Sequence, residues 1–184
     1  MKRVFDLTMS LIVLILLSPI MIMVAVMIKL ESKGPVIFKQ KRVGQYGKLF
    51  FIYKFRSMVL GASSQGPHFT KNNDARVTSI GQLIRKTSLD ELPQLLNVLK
   101  GDMSLVGPRP DVAAQRIDYD ESEWTKRLLV LPGITGLAQA RQRSLATPEE
   151  RIQNDLEYVD KMSFSYDVWI ISLTVKQVLI KGGN

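Results

Sequence analysis

Leu11-Ile12-Val13-Leu14-Ile15-Leu16-Leu17-Ser18-Pro19-Ile20-Met21-Ile22-Met23-Val24-Ala25-Val26-Met27-Ile28 is a run of 18 residues without a charge, and its reading decides what fold this chain can have. At about 1.5 Å of helical rise per residue, the run is just long enough to cross a bilayer core of about 30 Å. Three readings compete. A cleaved signal peptide needs a small-residue cleavage site, and Lys29-Leu30-Glu31-Ser32-Lys33 follows instead. A straight span should leave an imbalance of Lys and Arg between its ends. Here both ends are basic, with Lys2 and Arg3 before the run and Lys29, Lys33, Lys39, Lys41 and Arg42 after it. Pro19 removes a backbone donor and crowds the preceding turn, and Ser18 can bond a carbonyl that the bend frees. The expectation is a re-entrant helical hairpin over residues 1–33, bent at Ser18-Pro19, with both ends on the cytoplasmic side. Residues 34–184 then form a domain on that face.

Composition narrows the rest. With 184 residues, 46% hydrophobic and 23% charged, the chain is neither disordered, collagenous nor polytopic. Cysteine is absent and histidine occurs once, at His68, which excludes thiol catalysis, cysteine-ligated zinc and most histidine-based relays. The formal charge of +8 is local. Residues 1–60 hold ten basic residues (Lys2, Arg3, Lys29, Lys33, Lys39, Lys41, Arg42, Lys48, Lys54, Arg56) against Asp6 and Glu31, and residues 61–184 hold fifteen of each sign. The excess reads as a collar for anionic headgroups around the apolar segment. A nucleic-acid binder is disfavoured, because no aromatic stacking motif accompanies the cations.

Beyond residue 33 the pattern changes twice. Val36-Ile37-Phe38 and Leu49-Phe50-Phe51-Ile52-Tyr53-Lys54-Phe55-Arg56, joined by Gly44-Gln45-Tyr46-Gly47, predict a small β-hairpin. Residues 61–76 read as a loop in which His68 is solvated, and no P-loop spacing is present. From Ile80 onward the periodicity is helical. Leu92, Leu95, Leu96 and Leu99 predict one helix face closed by Gly101, and amphipathic segments run over residues 112–130, 148–162 and 166–181. These stripes fit either a core or a membrane interface anchored by Trp124 and Trp169. The fold class is α+β, mainly helical.

Chemistry concentrates in Arg85-Lys86-Thr87-Ser88-Leu89-Asp90-Glu91-Leu92-Pro93-Gln94. Ser88 and Glu91 have capping-box spacing, but Pro93 is better tolerated if Asp90 is the cap. Either way two adjacent carboxylates meet the positive end of a helix near Arg85 and Lys86, and a cap alone explains only one of them. In Gly107-Pro108-Arg109-Pro110, two prolines stiffen the chain around one guanidinium, which suits a phosphate or simply a rigid surface turn. Pro132-Gly133-Ile134-Thr135-Gly136-Leu137-Ala138-Gln139, followed by Arg141 and Arg143, would add anion-binding groups if the fold brings them together. Carboxylates among cations suit attack on phosphorus, or ligation of Mg²⁺.

With these residues the chain resembles the small monotopic phosphoglycosyl transferases, bacterial sugar transferases that act on polyprenyl phosphate. The likeness runs from Lys2 to Lys181 and rests on Lys2-Arg3-Val4-Phe5-Asp6, Ser18-Pro19, Tyr53-Lys54-Phe55-Arg56-Ser57-Met58, Thr87-Ser88-Leu89-Asp90-Glu91-Leu92-Pro93-Gln94, residues 101–110 and residues 132–139. It implies a monotopic enzyme on the cytoplasmic face of the bacterial inner membrane, with little beyond the catalytic unit. Asp90 would attack a UDP-sugar, release UMP and carry a phosphosugar, which undecaprenyl phosphate then takes in the first membrane step of surface glycan assembly. Glu91 would complete the catalytic dyad, Lys54, Arg85, Arg109 and Arg143 would bind substrate phosphate, Asp90 would help hold Mg²⁺, and Ser18-Pro19 would form the membrane bend. Membrane lipids are implied partners, and downstream glycosyltransferases and further copies of the chain are compatible ones. One departure concerns Gln139-Ala140-Arg141-Gln142-Arg143-Ser144, where the family commonly reads Gln-Val-Asn-Gly-Arg-Asn, leaving sugar preference open. The competing class is a non-catalytic membrane module that binds polyprenyl phosphate or a partner glycosyltransferase.

Overall fold

The computed structural model describes residues 1–62, 74–142 and 146–181. Helix α1, Lys2–Glu31, stays helical through Pro19, and the Ser18 hydroxyl donates to the Ile15 carbonyl at 2.8 Å, inside the turn that precedes the proline. Among the described residues it is the one helix long and apolar enough to cross a membrane. None of residues 11–23 is buried, and Leu16, Ile15 and Ile22 are 70%, 64% and 65% exposed. A surface that apolar belongs in a lipid environment.

Both ends of α1 are tied to the remaining domain. At the start, Lys2 donates to Asp167 Oδ2 at 2.6 Å, Arg3 Nη2 to the Val98 carbonyl at 2.8 Å, and Ser104 Oγ to Asp6 Oδ2 at 2.8 Å. At the other end Val24 and Ile28 pack with Phe55 and Ile84, while the Arg56 guanidinium caps the carbonyls of Ser32 and Lys33, each at 2.8 Å. Free carbonyls at a helix C-terminus attract such a cation.

The hairpin forms as the alternation predicts. Strands β1 (Ile37–Val43) and β2 (Leu49–Phe55) pair antiparallel with Lys39 opposite Tyr53 and Phe38 opposite Lys54. Period-two alternation puts Lys39, Lys41, Phe51 and Tyr53 on one face and Arg42, Ile52 and Lys54 on the other. Helix α2, Ser79–Lys86, is capped by Thr78, whose hydroxyl accepts from Gly81 N at 2.9 Å. It leads through a 3₁₀ helix, Leu89–Gln94, into α3, Leu95–Lys100.

The second half holds a parallel pair, β3 (Ser104–Val106) and β4 (Gly133–Thr135), and the helices α4 (Glu121–Arg127), α5 (Leu137–Gln142), α6 (Pro148–Lys161) and α7 (Phe164–Lys181). Their core is Val106, Leu137, Ala140, Tyr158 and Ile170. A Cβ at Gly133 would lie 2.1 Å from the Gly107 nitrogen, so the two glycine-containing segments pack backbone to backbone. Helix α7 buries Ile170 yet exposes Phe164, Val168 and Trp169, and so serves both the core and an apolar surface.

Two expectations need correction. The basic collar is only half a surface feature: Lys2, Arg3, Arg42, Lys54 and Arg56 bond acceptors within the protein. Lys29, Lys33, Lys39, Lys41 and Lys48 are the exposed members. The leucine face also differs, since Leu96 is 44% exposed and α3 buries Leu95, Asn97 and Val98 instead. Asn97 is needed inside, accepting from Tyr53 N at 3.0 Å and donating to the Phe51 carbonyl at 2.7 Å, which satisfies the free edge of β2. Gly101 ends α3 as expected, at φ 97°.

Candidate active site

Asp90 and Glu91 occupy the first turn of the 3₁₀ helix, after Ser88. Neither Ser88 nor Asp90 makes a side-chain cap. Ser88 instead adopts a left-handed conformation, φ 58°, uncommon for a residue with a Cβ and a source of local strain. Pro93 is accommodated because the tighter helix carries it and α3 begins only at Leu95. The turn aims the two carboxylates differently.

Glu91 is held by two cations. Its Oε1 accepts from Lys54 Nζ and from Arg109 Nη2, each at 2.7 Å. Burial alone would raise the Glu91 carboxyl, but Arg109 and Lys54 overcome it and hold the group well below the usual carboxylate range. Burial pulls the Lys54 ammonium down despite Glu91. Among the described residues none makes an ion pair with Asp90, which is 8% exposed. Burial, and then the Glu91 charge, push the Asp90 carboxyl up to about 6, against Lys54, Arg85 and Arg109.

Arg109 has a clamped backbone. The Pro108 carbonyl accepts from Gly133 N at 2.9 Å and the Pro110 carbonyl from Arg42 Nη1 at 2.9 Å, while the Arg109 carbonyl accepts from Arg127 Nη2. Arg127 is itself buried between Asp155, 2.8 Å from its Nε, and Asp111, 3.2 Å from its Nη2. Tyr119 donates to the same Asp111 oxygen at 2.6 Å. The stiffness read from the two prolines is thus reinforced by a buried ionic network that sequence reasoning missed.

A cavity of about 940 Å³ opens beside the dyad, with Gln82, Arg85, Ser88, Glu91, Arg109 and Asp155 among its polar lining residues. Glu91 lines the cavity, and Asp90 is its neighbour in the same 3₁₀ turn. Gln139 also lines it, so the Gly-rich segment contributes a side chain as well as its backbone packing. Arg141 does not serve the site; its Nη1 lies 2.7 Å from Glu157 and 2.8 Å from Asn154, both on α6. Arg143 and His68 lie outside the described residues.

The described residues contain no cluster of three metal-ligating side chains. Mg²⁺ does not require one, since it keeps several waters and commonly takes one or two carboxylates plus substrate phosphates. Glu91 is committed to Lys54 and Arg109, so Asp90 is the carboxylate that fits such an ion.

A family model described as bacterial sugar transferase matches residues 1–181. The chain belongs to that family. As a family member it is a transferase, and its relatives fall into two size classes. It is 45% identical to an uncharacterized sugar transferase, EpsL, of Bacillus subtilis (strain 168), over 100% of this chain and 89% of that one. It is 43% identical to a UDP-N-acetylgalactosamine-undecaprenyl-phosphate N-acetylgalactosaminephosphotransferase of Aeromonas hydrophila, over 97% of this chain and 43% of the relative. To a UDP-glucose:undecaprenyl-phosphate glucose-1-phosphate transferase of Escherichia coli (strain K12) it is 42% identical, over 95% and 39%. The chain therefore spans less than half the length of both transferases with named substrates.

Proposed function

We propose that this protein transfers a sugar 1-phosphate from a UDP-sugar to undecaprenyl phosphate, in two steps. The observation that carries the proposal is the division of labour in the dyad: Glu91 is neutralised by Lys54 and Arg109, whereas Asp90 makes no ion pair among the described residues and stands next to a cavity that Arg85 and Arg109 line. An Asp90 oxygen attacks the sugar-bearing phosphorus, the bond to the UMP oxygen breaks, and UMP leaves with that electron pair. A phosphate oxygen of the acceptor then attacks the same phosphorus, frees Asp90 and yields undecaprenyl-diphospho-sugar. Arg109 and Arg85 orient the phosphates, with Arg143 as a further candidate, and Glu91 organises the site by holding Arg109 and Lys54 in place. Bound at Asp90, Mg²⁺ would neutralise charge on the diphosphate.

The same reading places α1 as a re-entrant hairpin on the cytoplasmic face of the inner membrane. Its support is that both ends of α1 dock on one domain and that none of residues 11–23 between them is buried, about 20 Å of helix against a core of about 30 Å. Surface glycan assembly, with downstream glycosyltransferases as partners, is the setting that such a product fits.

The test is UMP release from a panel of UDP-sugars with undecaprenyl phosphate and Mg²⁺. One sugar is expected to support turnover that depends on the acceptor. Absence of UMP with every donor would refute the activity and favour a lipid-binding module.

A further inference from the structure

The cavity beside the dyad also has an extensive apolar lining. Phe5, Met9 and Val13 line it from α1, at a spacing of four residues, and so form one stripe along that helix. From α7, Ile171, Val175 and Val178 face the same space at spacings of four and three. An apolar stripe of α1 and a largely apolar face of α7, to which Thr174 and Gln177 also belong, therefore line one cavity together with Glu91 and Arg109.

This polarity is that of a long-chain monophosphate: hydrocarbon along the helices, phosphate at the guanidinium. Val13 belongs to the stretch of α1 without a buried residue, so the apolar stripe continues into the part of the helix that faces lipid. Arg85 and Gln82, which line the cavity from α2, remain for a nucleotide sugar. We infer that the cleft between α1 and α7 is the acceptor channel, admitting the first isoprenoid units of a polyprenyl phosphate from the bilayer and leading its phosphate to the dyad. This inference rests on the proposed reaction and adds to it the path of one substrate. Each apolar side chain removed from water by the chain contributes to acceptor affinity, so narrowing the cleft must raise the acceptor requirement without touching the donor.

Full-length enzyme in detergent micelles provides the test. In Val13→Trp and in Val175→Trp the acceptor KM is expected to rise about tenfold or more while the donor KM holds within about twofold. Ile12→Trp, on the exposed side of α1, keeps wild-type constants. An unchanged acceptor KM in both cleft variants would overturn the channel. Independently of turnover, a diazirine-bearing polyprenyl phosphate should crosslink to wild-type peptides covering residues 5–13 or 171–178, and crosslinks confined to other peptides would overturn it equally. A wild-type enzyme that releases no UMP yet crosslinks in the cleft would refute the reaction and keep the channel.

Discussion

Arg109 Nη2 donates to Glu91 Oε1 at 2.7 Å, and this bond joins the stiff loop after β3 to the 3₁₀ turn that carries the dyad. Lys54 reaches the same oxygen from β2. Three segments distant in sequence thus meet at one carboxylate.

Replacing Glu91 by Gln should therefore do more than remove a charge. It leaves two partly buried cations facing a neutral amide, and loss of charge-assisted hydrogen bonds costs about 1.5–3 kcal/mol. Chemical denaturation should show a loss of that size. The donor step should slow by about 10²-fold or more, because Arg109 and Lys54 lose the group that aims them.

Asp90 gives a pH dependence with a definite sign. Its carboxyl is raised to about 6, so in the metal-free protein it carries a proton below that pH and is ionised above it. In the metal-free protein its titration should therefore fall between pH 5 and pH 7, a window set by that value. Lys54 lowers the Asp90 carboxyl, so Lys54→Met should move its titration to higher pH. NMR of labelled aspartate, with Asp90→Asn identifying the signal, reads both; a titration near the ordinary 3.8 would contradict the assignment.

Arg127 is the hidden support of Arg109. Arg127→Met strands Asp111 and Asp155 as buried carboxylates and frees the Arg109 carbonyl. Breaking a buried pair from one side costs about 3–5 kcal/mol, so the variant should unfold at clearly lower denaturant concentration.

The re-entrant course of α1 predicts that single cysteines at Val4, 68% exposed, and at Lys33 label from the same side of sealed vesicles. Labelling from opposite sides would eliminate it.

Local features were legible in the sequence wherever one element carried the whole signal. The hairpin followed from period-two alternation, the end of α3 from Gly101, and the carboxylate pair from its own motif. What was not legible depends on distant partners. Lys54 lies 37 residues from Glu91 and Arg127 lies 28 from Asp155, and no local pattern announces either pairing. The alternation did contain half of the first, since it separates Lys54 from Tyr53 onto opposite faces. Lys2, Arg3 and Arg56 misled as surface charge because their acceptors, the Asp167 carboxylate and backbone carbonyls, belong to residues distant in sequence, which composition does not reveal.

The central claim is that Asp90 carries the sugar phosphate between donor and acceptor. Intact-mass measurement of the protein incubated with its UDP-sugar and Mg²⁺, without acceptor, tests it most directly. The account predicts a single phosphosugar adduct that maps to Asp90, vanishes when undecaprenyl phosphate is added, and never forms on Asp90→Asn. An adduct of the same mass on Asp90→Asn, or full turnover by that variant, would contradict it.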